Sequence, residues 1–252
     1  MTKPYILAIL LIAYSLNASA QSKIFIGVKG GISIPNLVAS GDNPVTKGYS
    51  SISGPYFGIA AEFKMTPLFS IQTELNYSAQ GGQKKDKQAI PTANYAALFP
   101  PGYPIPDYVY ANFKSKARLN YLELPVLARF NFNLNKKLTF FVNAGPYVGY
   151  LLSAKTVLSG SSLIYADEAE TQPFPIGQQN FDSTQNLKND IHKFNFGIQG
   201  GVGLTLKLKD DYLLLNAGGN YGFLTVQKDP VNGQSNTGCA TIAIGYFHKI
   251  SK

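Results

Sequence analysis

Cysteine is almost absent from this chain, and the single copy, Cys239, rules out any disulfide within it. No His or basic residue adjoins Cys239 to lower its pKa, so a small buried or rim residue is expected there, not a reactive thiol. Tryptophan is missing altogether, and histidine occurs only as His192 and His248. The net charge is +8, yet no basic run exceeds two residues and no nucleic-acid motif appears, which excludes a nucleic-acid partner. Gly197-Ile198-Gln199-Gly200-Gly201 runs on into more strand pattern and lacks the helix that a phosphate-binding loop requires. No EF-type calcium spacing is present, and neither metal nor cofactor is expected. After Gln21 no stretch of about 18 apolar residues remains, so membrane-spanning helices are excluded.

Residues 1–20 carry Lys3, the largely apolar Tyr5–Leu16, and a small-x-small site at Ala18-Ser19-Ala20. The apolar core is too short to span as a helix. These residues are expected to be a cleaved signal peptide, leaving 21–252 as one β-barrel domain.

What the chain does contain is alternation. From Phe194 to Leu208 every second residue is Phe194, Phe196, Ile198, Gly200, Val202, Leu204, Leu206 and Leu208, and the residues between are small or polar. A period of two is a strand period. Strands in soluble sheets run about 5–6 residues, whereas a tilted strand crossing a bilayer needs about 9–11. Eight segments read this way: about Lys23–Ile32, Tyr56–Lys64, Phe69–Gln80, Ala117–Phe132, Leu138–Lys155, Lys193–Leu208, Tyr212–Val226 and Thr237–Ile250. The connections alternate in length. Met65–Leu68, Asn133–Lys137 and Lys209–Asp211 are short, while 33–55, 81–116, 156–192 and 227–236 are longer. Outer-membrane barrels place short turns in the periplasm and longer loops outside. A soluble β-sandwich has no reason to sort its loops so, nor to carry a lipid-like outer face. The expected fold is therefore all-β: an eight-stranded antiparallel transmembrane barrel, an up-and-down meander in the outer membrane of a Gram-negative envelope.

Tyr and Phe together number 32. Tyr56, Phe69, Tyr77, Tyr121, Tyr150, Phe194, Tyr212, Tyr221, Phe223 and Tyr246 fall near strand ends, where aromatic girdles are expected. Pro125 lies inside the fourth strand and predicts a bulge, since it cannot donate a ladder hydrogen bond.

Four stretches carry a family resemblance. They are Ile26-Gly27-Val28-Lys29-Gly30-Gly31, then Leu75-Asn76-Tyr77-Ser78-Ala79-Gln80-Gly81, then Leu119-Asn120-Tyr121-Leu122-Glu123-Leu124-Pro125-Val126-Leu127, and the Gly-rich sixth strand with the seventh. Together they make the chain resemble the PorT-like family of outer-membrane β-barrels. The resemblance implies an eight-stranded barrel inserted by the barrel-assembly machinery and surrounded by outer-membrane lipid and lipopolysaccharide. It implies little about activity. The family's namesake is associated with protein secretion, which points to an envelope protein partner.

The inward charges are Lys29, Glu62, Lys64, Glu74, Glu123, Arg129 and Lys207. An eight-stranded barrel is only wide enough for side chains to fill, and unpaired buried charges are very unfavourable. A plugging network around Arg129 with Glu74 and Glu123 is expected, with a narrow polar or proton path as the alternative. The excess positive charge suits anionic head groups and phosphates on the periplasmic side. In the second loop Tyr95, Phe99, Tyr103, Tyr108 and Tyr110 are interleaved with prolines, which fits a partner-binding surface. The third loop holds Asp167, Glu168, Glu170, Asp182 and Asp190, and its triplet Asp182-Ser183-Thr184 resembles an O-glycosylation site. Asp190 and His192 sit where that loop enters strand six, but nothing else completes a catalytic site. The function expected is a non-enzymatic surface or envelope interaction protein, with a small-solute channel as the second reading and a rim enzyme acting on lipid or peptide as the third.

Overall fold

The computed structural model describes residues 23–93, 102 and 104–250. The expected leader, residues 1–20, lies outside them. Eight long strands form the body: β1 Lys23–Ala39, β2 Gly54–Lys64, β3 Phe69–Lys84, β4 Lys114–Asn133, β5 Leu138–Ser159, β6 Phe194–Leu208, β7 Asp211–Gly222 and β8 Ser235–Lys249. Each pairs antiparallel with its neighbours in sequence, β4 pairs with β5, and β8 returns to pair with β1, so the sheet closes on itself. No helix among the described residues is long and apolar enough to cross a membrane; the strands do the crossing.

The period of two explains which way each strand faces. Val28, Ile59, Leu124, Val148, Ile198 and Ile244 are exposed on the outside and form an apolar belt, while the residues between them turn inward. Following direct partners once round the ring gives the stagger. The path runs Ile24, Phe63, Ile71, Ala128, Ala144, Gly200, Gly219, Ala240 and back to Ile34 on β1, ten residues from its start. Eight strands with that stagger tilt by about 40° and enclose a cylinder of about 8 Å backbone radius. Side chains fill such a cylinder.

Several strands outrun the expected boundaries. β1 continues to Ala39 because Ser33, Pro35 and Leu37 stay on the inward parity. β3 and β4 likewise extend past the barrel's outer rim, to Lys84 and from Lys114. β7 is shorter than expected and stops at Gly222. The bulge expected at Pro125 is absent: the β3–β4 register is the same on both sides of it, and only the partners of Glu74 and Leu75 are missing from the ladder. Pro125 removes a hydrogen bond without adding a residue. The one irregularity in the β4–β5 pairing falls at Asn120/Tyr121 instead.

The aromatic girdle also needs correction. Tyr150, Phe194, Tyr221, Phe223 and Tyr246 are exposed on the outer wall, but Tyr56, Tyr121 and Tyr212 are buried inside. Those three share the inward parity of Glu62, Glu123 and Leu214 on their own strands. Cys239 is a buried free thiol.

Two aromatic rings fill the lower lumen, Phe141 and Phe247, and neither has any exposed surface. Phe141 depends on a facing glycine: a Cβ on Gly203 would fall 2.5 Å from the tip of its ring. Gly203→Val is expected to lower unfolding stability by about 1–3 kcal/mol through overpacking. An unchanged urea midpoint for the refolded protein would contradict this packing.

Candidate functional site

The lumen is built in layers, each from residues that the strand period turns inward. In the lowest layer Arg129 Nε lies 3.8 Å from the Glu62 carboxylate. Glu62 also accepts hydrogen bonds from Ser70 Oγ at 2.7 Å and Tyr212 OH at 2.5 Å. The Arg129 guanidinium stacks 3.8 Å from the Phe141 ring centroid, donates from Nη1 to Gln72 at 2.8 Å and from Nε to Asn131 at 3.0 Å. Gln72 then hands the network upward, donating to Glu74 at 2.5 Å. In the middle layer Glu74 pairs with Lys29 and accepts from Asn76 at 2.8 Å. Lys29 donates to Tyr56 OH at 3.0 Å. Glu123, one layer higher, has no ion pair: it accepts from Gln80 Nε2 at 3.1 Å and Asn220 Nδ2 at 3.0 Å, with the Ser78 hydroxyl beside them and the Lys29 charge farther off. Above it Leu37, Leu119, Tyr121, Leu151, Ile191 and Val226 form an apolar stopper.

The structure thus gathers five of the seven expected charges in the lumen and rearranges their partners. Arg129 pairs with Glu62, not with Glu74 or Glu123. The reason is register: Ser70 is the direct partner of Arg129, and its neighbour on β2 is Lys64, which places Glu62 one step along the same wall. Lys207 is not part of this network, and Lys64 enters it only through the pull of its charge on Glu62 from beyond ion-pair distance. Lys64 is half-buried at the turn end, its ammonium over the rings of Phe25 and Tyr212 at 4.8 and 5.3 Å from their centroids, and Lys207 is exposed there.

The opposite end carries an ordered cap. Lys87–Pro91 pairs with Tyr108–Asn112, which pairs in turn with Ile164–Tyr165, so the second and third loops share one small sheet. Val109 and Ala111 are buried beneath it. Tyr108, Tyr110 and Tyr165 remain half-exposed on its other face, with Pro91 directly opposite Tyr108 and Tyr165 opposite Tyr110. Asn112 Nδ2 donates to Glu170 at 2.9 Å, Lys87 Nζ donates to the Glu168 carbonyl at 2.8 Å, and Phe113 stacks on Phe181 at 4.3 Å. Tyr95, Phe99 and Tyr103 lie outside the described residues. Tyr165 was not anticipated, because its segment has no period and only the pairing reveals it.

In the acidic third loop, Asp167 and Asp182 turn their carboxylates to the loop's own backbone. Desolvation opposes it, but hydrogen bonds from Thr171 and from the Thr171 and Gln172 N–H groups hold the Asp167 carboxyl below its ordinary value. Asp182 accepts from the Gly160 N–H at 2.8 Å, leaving Ser183 and Thr184 exposed on a short strand paired with β5. No group of three His, Cys, Asp or Glu that could hold a metal occurs among the described residues. His192 is exposed, with Nδ1 2.9 Å from the Thr225 carbonyl, so the rim does not assemble the Asp190–His192 pair that acid–base chemistry would need.

Residues 19–226 match the outer membrane protein beta-barrel domain. No curated protein matches the chain. Among solved structures, Neisserial surface protein A is 11% identical, covering 90% of this chain and 97% of its own, with a TM-score of 0.42. OprG from Pseudomonas aeruginosa is 9% identical, with coverage of 92% and 98% and a TM-score of 0.40. Ail, the attachment invasion locus protein of Yersinia pestis, is 11% identical, with coverage of 90% and 99% and a TM-score of 0.37. With a closed eight-stranded ring, an apolar outer belt and a family match over most of its length, this chain belongs to the outer membrane protein β-barrel domain family and is an outer-membrane barrel.

Proposed function

We propose that this barrel is a non-enzymatic envelope interaction protein of the PorT-like kind, whose outer cap binds a protein partner in a secretion or envelope complex. The observation that carries the reading is a contrast between the two parts of the molecule. The lumen is filled by paired charges and an apolar stopper, whereas the loops spend their residues on a separate sheet that presents Tyr108, Tyr110 and Tyr165 together. Tyrosine offers large contact area at low entropic cost, and a face held by cross-strand pairing is pre-ordered for binding. The belt meets outer-membrane lipid and lipopolysaccharide, and the barrel-assembly machinery inserts the chain.

The test is co-purification in mild detergent with the triple variant Tyr108→Ala, Tyr110→Ala, Tyr165→Ala. A reproducible envelope partner is expected with the parent chain and is expected to be lost from the variant. A partner retained at full yield, or a steady open conductance of the purified barrel in planar bilayers, would overturn the reading, the latter in favour of a small-solute channel.

A further inference from the structure

The end of the barrel opposite the cap opens into a vestibule of about 760 Å³, within the size range of small-molecule sites. By the short-turn rule this end faces the periplasm. Four strand ends bring Lys23, Lys64, Lys207 and Lys249 to it, each on the inward parity of its strand, and the turns add Lys136, Lys137 and Lys209. Only Asp210 and Asp211 oppose them on the lining. Asp211 is already engaged: it accepts from Tyr246 OH, lies 2.9 Å from His248 Nδ1, and is 3.4 Å from the Lys249 N–H. None of the seven lysines has a carboxylate within ion-pair distance among the described residues, although Lys29 and Arg129 deeper in the barrel both do. The floor is closed by Phe25 and Tyr212, with the Lys64 ammonium above both rings.

We propose that this vestibule binds a soluble anion carrying several phosphate groups. A concave site lined by one sign of charge concentrates counter-ions, and the mutual repulsion of seven ammonium groups is relieved by a ligand with several negative charges. A single carboxylate would leave most of them unbalanced. All seven cations are lysine and none is arginine. Each is a compact point charge with three rotatable donors, able to meet phosphate oxygens from several directions. The inward parity of the four strand-end lysines turns them to the aqueous axis and away from the lipid ring. The site does not depend on the cap or on what the cap binds.

The probe is inorganic tripolyphosphate, titrated calorimetrically into the full chain in zwitterionic detergent at low and moderate salt. Saturable binding is expected, weakening as salt rises. The variant Lys137→Gln, Lys209→Asn changes two exposed turn residues, with asparagine chosen because Lys209 has a φ of 49°. It is expected to weaken binding by about tenfold or more. Lys114→Gln, Lys188→Gln removes the same charge from the loop end and is expected to leave binding unchanged. Equal weakening in both variants would reduce the effect to net charge and overturn the proposal, as would the absence of saturable binding. Capture of vesicles containing phosphatidylglycerol without any binding of tripolyphosphate would assign the lysines to lipid head groups and also overturn it.

Discussion

Replacing Arg129 with leucine should lower the unfolding free energy of the barrel by about 3–5 kcal/mol, the cost of leaving a buried charge without its partner. Glu62 has no exposed surface, and Arg129 is its cation in the lowest layer. Without the guanidinium, Glu62 keeps two hydroxyl donors, Ser70 and Tyr212, and only the more distant charge of Lys64, which lies beyond ion-pair distance. Gln72 and Asn131 lose their donor at the same time, and Phe141 loses the cation stacked on its face. Urea unfolding of the protein refolded into lipid vesicles, followed by far-ultraviolet circular dichroism, measures the loss. The second change Glu62→Gln in the Arg129→Leu background should recover much of it, because the stranded charge is then gone. If Arg129→Leu stayed within about 1 kcal/mol of the parent, the lower layer would not be the paired network described above.

The middle and upper layers should respond in opposite ways to the same chemical change. Glu74→Gln removes the carboxylate that Lys29 pairs with, leaving that buried ammonium with neutral acceptors, the Tyr56 hydroxyl and the new amide oxygen, and only the more distant charge of Glu123, and should cost about 3 kcal/mol. Glu123→Gln removes no ion pair. Its partners are neutral, the amides of Gln80 and Asn220 and the Ser78 hydroxyl, and a glutamine can satisfy them once one amide turns over and the hydroxyl rotates, so the change should stay within about 1 kcal/mol. The same unfolding assay reads both. Equal losses from the two variants would show that counting cations near each carboxylate is the wrong way to rank these layers.

Much of this architecture was legible in the sequence because a membrane barrel writes its geometry as parity. Phe194 to Leu208 states which residues meet lipid, and the alternation of short and long connections states which end is which. Parity also places Tyr56, Tyr121 and Tyr212 indoors, and it outranks their nearness to strand ends. Pairings across the lumen are a different matter. Whether Arg129 meets Glu62 or Glu123 depends on the registers of several ladders added together, and no single strand encodes that sum. The clustering of lysines at the turn end was hidden for a related reason: Lys23 and Lys249 lie at opposite ends of the described chain, yet they belong to strands that pair with each other. Tyr165 shows the remaining limit, since a two-residue strand in a loop leaves no periodic trace.

The seam between β1 and β8 has a consequence for how such a molecule comes into being. Seven of the eight strand contacts join neighbours along the polypeptide and can form as local hairpins, but Phe25 meets Lys249 only when segments more than two hundred residues apart are brought side by side. Until that zipper shuts, two rows of peptide N–H and C=O groups have no partner, and hydrocarbon offers them none. The sheet therefore cannot close until its last strand is in place, and an unsealed intermediate is the species that a helper in the membrane would have to shelter. Its two free borders are also where a foreign ribbon could be captured by mistake.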